Sequence, residues 1–122
     1  MTTATTMERT AIEARARRLA AALIATHEVL DRGEQDRRPG ADPSLRRALY
    51  ERAQDLTTMT ALLPRTHVLR LAAEHVARTI DEWAVQPAGT EDGRVGSLSM
   101  VIAISMLRRA AEPRERALPH AA

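Results

Sequence analysis

Residues 12–30, with the sequence IEARARRLAAALIATHEVL, decide the fold class of this protein. Small or apolar side chains recur there at alternating intervals of four and three residues: Ile12, Ala16, Leu19, Leu23, Thr26 and Leu30. A helix completes one turn in 3.6 residues, so this spacing places these side chains along one face. Glu13, Arg17 and Arg18 fall on the opposite arc. The stretch therefore predicts an amphipathic helix whose apolar face must pack against other helices.

Signals on either side of this stretch set the bounds of the first predicted helix at residues 6–32. Thr5 and Glu8 have the spacing of a capping box, in which each side chain binds a free backbone N–H at the start of a helix. Gly33 is expected to end the helix, because glycine is common just after the last helical turn. Residues 33–42 (GEQDRRPGAD) show no apolar period and predict a loop.

A second helix is predicted over residues 43–63. Asp42 followed by Pro43 is typical of a helix start, since aspartate caps free N–H groups and proline fits the first helical position. The four-three spacing returns at Leu45, Leu49, Arg52, Leu56, Met59 and Leu63. Arg52 is the one charged residue of this series. Its guanidinium must reach solvent past a neighbour, meet a buried acid or cross an interface between chains.

Pro64 separates the second predicted helix from a third, over residues 65–84. Proline lacks a backbone donor and disfavours the helical conformation of the residue before it. A kink within one long helix is the alternative, but we favour a break. The third helix has its apolar series at Leu69, Ala73, Val76, Ile80 and Trp83. A second loop is predicted over residues 85–96 (VQPAGTEDGRVG), which combine glycine, proline and charge.

Residues 97–111 form the ambiguous segment of the chain. Its largest apolar residues alternate as in a strand: Leu98, Met100, Ile102, Ile104 and Met106. A single strand would find no partner strand in this sequence, however, and the segment continues into Leu107–Ala111, which are good helix formers. We therefore predict a helix. Because it is apolar all round, we expect it to be the most buried helix or to be covered by a partner.

Together these segments predict an all-α fold: an antiparallel bundle of about four helices, at about 6–32, 43–63, 65–84 and 97–111. Residues 6–111 are expected to form one domain. Residues 1–5 and 112–122 are expected to be disordered, since termini without apolar periodicity lack packing partners.

The composition predicts a thin core. The chain of 122 residues has one Trp, one Tyr and no Phe, and alanine supplies much of its apolar fraction. Alanine buries little surface, so we expect a homo-oligomer, most simply a homodimer, or a protein partner. The absence of cysteine, signal peptide and long apolar run predicts a cytoplasmic protein without a membrane span.

The charge pattern argues against nucleic-acid binding. The net charge is only +2, and arginines and acids are interspersed along the chain. A nucleic-acid binder needs a basic stripe on one face. The best site for an anion combines arginines of the first loop and of the next helix start, namely Arg37, Arg38, Arg46 and Arg47. The acidic residues between them favour an ordinary solvated charge cluster.

His27 is the histidine with the most interesting surroundings. Asp31 lies one turn further along the helix, and this pair could supply two metal ligands, whereas a zinc site needs at least one more. His27-Glu28 also resembles the phosphorylated His-Glu of histidine-kinase dimerisation helices, which would imply a phosphorelay role. Val29–Arg32 replace the basic and proline residues that usually follow there, and no Gly-rich ATP-binding segment is present. A boundary histidine bonded to a neighbour is the simpler interpretation.

No catalytic or cofactor-binding motif stands out. The sequence contains no GxGxxG, GxxxxGK[ST] or GxSxG, so we expect neither a cofactor nor an enzyme. The leading hypothesis is a non-enzymatic interaction protein (an adaptor, chaperone or regulator) acting through an apolar helix face. The alternatives are a phosphorelay or ligand-binding bundle using His27 and, last, an Arg-mediated nucleic-acid binder. The predicted interaction residues are Met100, Ile102, Ile104, Met106 and Arg52.

Overall fold

The computed structural model describes residues 6–35, 43–85 and 97–112. These residues form four helices and no strand: α1 (Thr6–Gln35), α2 (Pro43–Thr60), α3 (Val68–Ala84) and α4 (Leu98–Ala110). Their contacts are those of a small helical bundle, which confirms the predicted fold class. The predicted capping residues Thr5 and Asp42 and most of both loops lie outside the described residues. The same holds for the two segments predicted to be disordered, residues 1–5 and, apart from Glu112, residues 112–122.

Pro64 separates two helices, as predicted. α2 ends at Thr60 and not at residue 63, and α3 begins at Val68 and not at residue 65, because residues 61–67 form the turn between them. Successive backbone bonds tighten this connection: the Leu63 amide donates to the Thr60 carbonyl at 2.9 Å, and the His67 amide donates to the Pro64 carbonyl at 2.9 Å. The chain therefore reverses direction within a short turn, and a single kinked helix is excluded.

The predicted end of α1 at residue 32, before Gly33, is wrong by nearly one turn, because the helix continues to Gln35. A Cβ added to Gly33 would meet nothing within 4 Å, so no close approach requires glycine there. Glycine lowers helix stability by only about 1 kcal/mol relative to alanine, which the preceding turns can offset.

The ambiguous segment is a helix. The Ser97 hydroxyl accepts a hydrogen bond from the Met100 amide at 3.5 Å at the amino end of α4. Arg108 and Arg109 lie in its last turn, where cations interact favourably with the helix dipole. A strand is excluded because, within the described ranges, no other strand exists to pair with it.

Two contacts define how α1, α2 and α3 run relative to one another. Arg46, in the first turn of α2, stacks on Trp83, in the last turn of α3. The turn at 61–67 joins the other ends of these helices, so they are antiparallel. His67, which precedes α3, contacts Glu13 in the amino-terminal half of α1. The carboxyl end of α2 therefore lies beside the early part of α1, and α2 is antiparallel to α1 as well.

α4 packs mainly on α3 and makes a smaller contact with α1. The core between the helices is aliphatic except for Trp83, and α1 contributes Ala16, Ala20, Leu23 and Leu30. Alanines at these positions let helix backbones approach one another closely. The other buried apolar residues are Leu49, Ala53, Leu56, Leu63, Leu69, Ala72, Ala73, Val76, Ile80, Met100, Ala103, Ile104 and Leu107.

The buried face of α2 differs from the predicted series at one decisive position. Ala53 is buried and Arg52 is exposed, so the buried face passes through the alanine. Thr60 is also fully buried, and its hydroxyl donates to the Leu56 carbonyl at 2.9 Å. Spacings of three and four from Leu49 both fit a helix, and burial of an alanine avoids the cost of desolvating a guanidinium. The guanidinium of Arg52 therefore needs no buried partner inside this chain.

Candidate interaction surface on the last helix

α4 has one buried face and one exposed face. Met100, Ala103, Ile104 and Leu107 are buried in the core. Leu98, Val101, Ile102 and Met106 point the other way and are exposed, Leu98 by 74% and the other three by 42–47%. These four residues are called the outer face of α4 below. An amphipathic surface helix normally carries polar residues at such positions, so this face departs from the ordinary pattern.

The structure divides the four α4 residues predicted to form the interaction surface. Ile102 and Met106 belong to the outer face, whereas Met100 and Ile104 lie in the core. The division follows from the 100° rotation per residue, which separates Met100 from Ile102 by 200°. The alternating series predicted from the sequence therefore combined residues of the buried face with residues of the exposed face. Leu98 and Val101 belong to the surface although the prediction omitted them.

A shallow groove borders the outer face on the side of α3. Its volume is about 240 Å³, and it is lined by His75, Arg78, Thr79 and Glu82 of α3 together with Ser99 and Ile102 of α4. The Thr79 hydroxyl donates to the His75 carbonyl at 2.9 Å. The groove thus joins an apolar helix face to side chains of both charges, an arrangement that resembles the core and rim of a protein interface.

The carboxyl end of α4 is basic and touches α1. The Arg108 guanidinium donates to Glu28 at 3.0 Å through Nη2, and Glu28 is also 3.7 Å from the Arg32 guanidinium. Arg109 is exposed at the same end. Ion pairs this exposed contribute little to stability, but this one shows which part of α1 the carboxyl end of α4 lies against.

His27 lies inside the bundle, where only 6% of its surface is exposed. Both His27 and Asp31 have partners in the structure. A histidine that receives and passes on a phosphoryl group must present a ring nitrogen to another protein or nucleotide, and this burial opposes such access. The environment of His27 therefore fits a structural role.

The four arginines considered for anion binding do not form a described cluster. Arg37 and Arg38 lie outside the described residues. Arg47 is exposed, while the guanidinium carbon of Arg46 is 4.1 Å from the centroid of the Trp83 ring. One nitrogen of Arg46, Nη1, is buried without a hydrogen-bond partner. Arg46 is thus held as a cation on an aromatic face, joining α2 to α3.

His67 is a structurally important residue that the sequence pattern did not reveal. Its Nδ1 accepts a hydrogen bond from the Leu69 amide at 3.1 Å, which caps α3. Its Nε2 lies 3.1 Å from Glu13 Oε1, and Glu13 is also 3.7 Å from Arg17. Since Nδ1 accepts, the neutral ring carries its proton on Nε2 and donates it to Glu13. One side chain thereby caps α3 and ties it to α1.

Neither a metal centre nor a membrane span is found in the described part of the chain. Within residues 6–35, 43–85 and 97–112, no three His, Asp or Glu side chains come together as ligands for a metal ion. Over the same ranges, no helix combines the length and the apolarity that crossing a membrane requires.

Comparison of the chain with protein-family models, with curated proteins and with solved structures gives no match.

Proposed function

We propose that this protein is a non-enzymatic interaction protein that binds another helical surface through the outer face of α4. The observation that carries the proposal is the exposure of Leu98, Val101, Ile102 and Met106 on the side of α4 that faces away from the core. Exposed apolar residues scattered singly are ordinary, whereas four on one 13-residue helix form a contiguous stripe.

Burying this stripe against a partner would remove apolar surface from water, which is the main driving force of association. The neighbouring groove adds the polar rim, with Arg78 and Glu82 as groups that select a partner by charge. Methionine at position 106 suits the role because its flexible side chain adapts to different surfaces. A second copy of this chain and another helical protein are the two kinds of partner that such a face accommodates, and a cytoplasmic location stays part of the proposal.

The alternatives gain no support from the described residues. A phosphorelay through His27 is opposed by its burial. Nucleic-acid binding is opposed by the low net charge and by the apolar character of the face that is free.

Site-specific photo-crosslinking tests the proposal. A photo-reactive phenylalanine analogue is placed at position 102, on the outer face, in the full chain expressed in its native host. The matched control carries the same analogue at position 54, where the exposed Gln54 of α2 stands. We expect a discrete adduct, to a second copy or to another protein, from position 102 and none from position 54.

A third variant completes the experiment. Met106→Asp is combined with the analogue at position 102, and the adduct should disappear because a carboxylate would be desolvated in the contact. Equal adducts from positions 102 and 54, or an adduct that survives Met106→Asp, would contradict the proposal.

A further inference from the structure

The two ring nitrogens of His67 respond differently to a proton. Nδ1 accepts the hydrogen bond from the Leu69 amide at 3.1 Å, and Nε2 lies 3.1 Å from Glu13 Oε1. Because Nε2 of the neutral ring already carries a hydrogen, a further proton from solvent binds the lone pair of Nδ1. That lone pair is the acceptor of the helix cap, so the cap is lost when the ring becomes charged.

The contact with α1 changes in the opposite sense. The protonated ring is a cation, and its Nε2 still carries the hydrogen that it donates to Glu13. A hydrogen bond between two charged groups is stronger than one between a neutral donor and a carboxylate. The side chains of His67 and Glu13 are only 18% and 22% exposed, so water and salt screen their charges less than those of a fully exposed pair. One proton thus breaks one contact and strengthens the other.

Other charged groups near the ring are largely engaged with one another. Glu13 is also 3.7 Å from Arg17 on α1, and on α3 Arg70 and Glu74 pair at 3.6 Å. Arg65 stands in the turn, two residues before the histidine, and the last turn of α2, residues 57–60, carries no charged side chain. Glu13 is therefore the anion that a charged ring meets directly.

Loss of the cap affects the first turn of α3. The first N–H groups of a helix have no partner within it, and the His67 carbonyl already accepts from the Leu71 amide at 3.0 Å. With a proton on Nδ1, two N–H groups would face each other across 3.1 Å, so the ring and the Leu69 amide must separate. The movement is limited because the Leu69 side chain is fully buried and Arg70 donates to the Leu63 carbonyl at 2.8 Å.

We propose that His67 is a proton switch, in which a proton bound at Nδ1 exchanges the cap of α3 for an ion pair with Glu13 of α1. Histidine is the side chain whose ordinary change of charge falls between about pH 5 and pH 8, so moderate acidification operates the switch. In the protonated form the first turn of α3 is loosened and the bundle stays folded, because the buried core is not part of the exchange. The switch goes beyond the proposed function and does not involve the outer face of α4.

Nuclear magnetic resonance of the isotope-labelled full chain tests the exchange of contacts. Nitrogen nuclei joined by an N–H···N hydrogen bond are coupled through it, so at about pH 8 we expect a correlation between the Leu69 amide nitrogen and Nδ1 of His67. It should disappear at about pH 5, while the Nε2 hydrogen remains bound. His75, whose ring caps no helix in the described part of the chain, should give no such correlation at either pH.

Amide hydrogen exchange measures the loosening of the first turn. Protection of the Leu69 amide, corrected for the intrinsic effect of pH, should fall at least about threefold from about pH 8 to about pH 5, which is the effect of losing one modest hydrogen bond. His67→Asn is the matched control, because asparagine accepts the same hydrogen bond and does not titrate. Its Leu69 amide should be equally protected at both pH values.

Glu13→Gln tests the ion pair. In this variant a proton on Nδ1 still breaks the cap, but no carboxylate is present to interact with the charged ring. The fall in melting temperature from about pH 8 to about pH 5 should therefore exceed that of the unaltered chain by at least about 3 °C. Glu51→Gln makes the same change in charge at an exposed position of α2 and should not enlarge the fall.

Four results would overturn the switch. They are the absence of the correlation at about pH 8, a ring that stays neutral at about pH 5, an equal loss of Leu69 protection in His67→Asn, and equal falls in melting temperature for Glu13→Gln and Glu51→Gln. A general loss of helicity by circular dichroism at about pH 5 would also overturn it, because the proposed change is local.

Discussion

α3 and α4 bury similar seams and differ in what they show to solvent. α3 buries Leu69, Val76 and Ile80, and the exposed positions of its second half are charged, as at Asp81 and Glu82. α4 buries Met100, Ile104 and Leu107 in the same manner, yet four of its eight exposed residues are apolar.

Within α3 the large exposed apolar residues are confined to the first turn, at Val68 and Leu71, whereas in α4 they extend from Leu98 to Met106. Core packing therefore accounts for only one side of α4. The second side requires another explanation, which is why the proposed function rests on it.

The largest effect should come from the buried side of α4. Leu107→Ala removes a fully buried side chain and should lower the free energy of unfolding by about 2–5 kcal/mol through lost burial and a cavity. Leu98→Ala removes the same atoms from the exposed row, and there we expect at most about 0.5 kcal/mol. Urea denaturation of dilute protein, where association does not contribute, measures both.

Equal losses of stability for these two variants would contradict the difference between the two sides of α4, because they would show that both sides are packed within one chain. A loss of stability in Leu98→Ala that grows with protein concentration would show that the exposed side is buried between chains, because only an association between chains depends on concentration.

A smaller loss of stability is expected from substitutions at the starts of α3 and α4. α3 begins with His67, which caps Leu69 at 3.1 Å and reaches Glu13, whereas α4 begins with Ser97, whose bond to Met100 is 3.5 Å long. His67→Ala should therefore cost about 1–2 kcal/mol, and Ser97→Ala less than that. Thermal unfolding followed by circular dichroism ranks the two variants.

His67→Asn provides the control for the cap. Asparagine can accept the same backbone hydrogen bond but is too short to reach Glu13. It should recover most of the stability that His67→Ala loses. A variant as unstable as His67→Ala would assign the effect to the link with α1 rather than to the cap.

The smallest loss of stability is expected from removing the arginine contacts at the last turns of α3 and α4. Trp83 of α3 is stacked by Arg46, and Arg108 of α4 pairs with the exposed Glu28. Arg46→Met should cost about 1 kcal/mol, because the cation lies on a buried ring, whereas Arg108→Met should cost less than about 0.5 kcal/mol. The protein has a single tryptophan, so its fluorescence reports on Arg46 directly.

We expect the emission of Trp83 to change in Arg46→Met and to stay as it is in Arg108→Met. Identical spectra for both variants would show that Arg46 does not rest on the ring in solution. The same replacement is made at both positions, so the difference between the variants reports on the surroundings of the two arginines.

The helices of this protein could be predicted from the sequence because the interactions that start, continue and end a helix lie between residues close together in the chain. The break at Pro64 follows from the geometry of one residue, and the helical periods of α1 and α3 follow from their spacing. The end of α1 was placed too early because Gly33 is a common helix terminator whose effect a long helix can override. The capping role of His67 was not predicted, because histidine is not among the preferred capping residues.

Of the four residues of the outer face, Ile102 and Met106 were predicted from the sequence and Leu98 and Val101 were not. The spacing of residues alone does not identify the buried face, as Arg52 also illustrates. Arg52 and Ala53 fit the spacing of α2 equally well, and the packing of neighbouring helices selects the alanine. In α4 every face is apolar, so periodicity could not separate Met100 and Ile104 from Ile102 and Met106.

The four helices were predicted from the sequence to within three residues at each end, because hydrogen bonding within a helix and the amphipathic period depend on neighbours in the chain. Which face of α4 enters the core and which remains exposed follows from the packing of the helices. That choice depends on where α1 and α3 present apolar surface, a relation between residues far apart in sequence. When two faces of a helix are equally apolar, the local sequence does not indicate which one the other helices will cover.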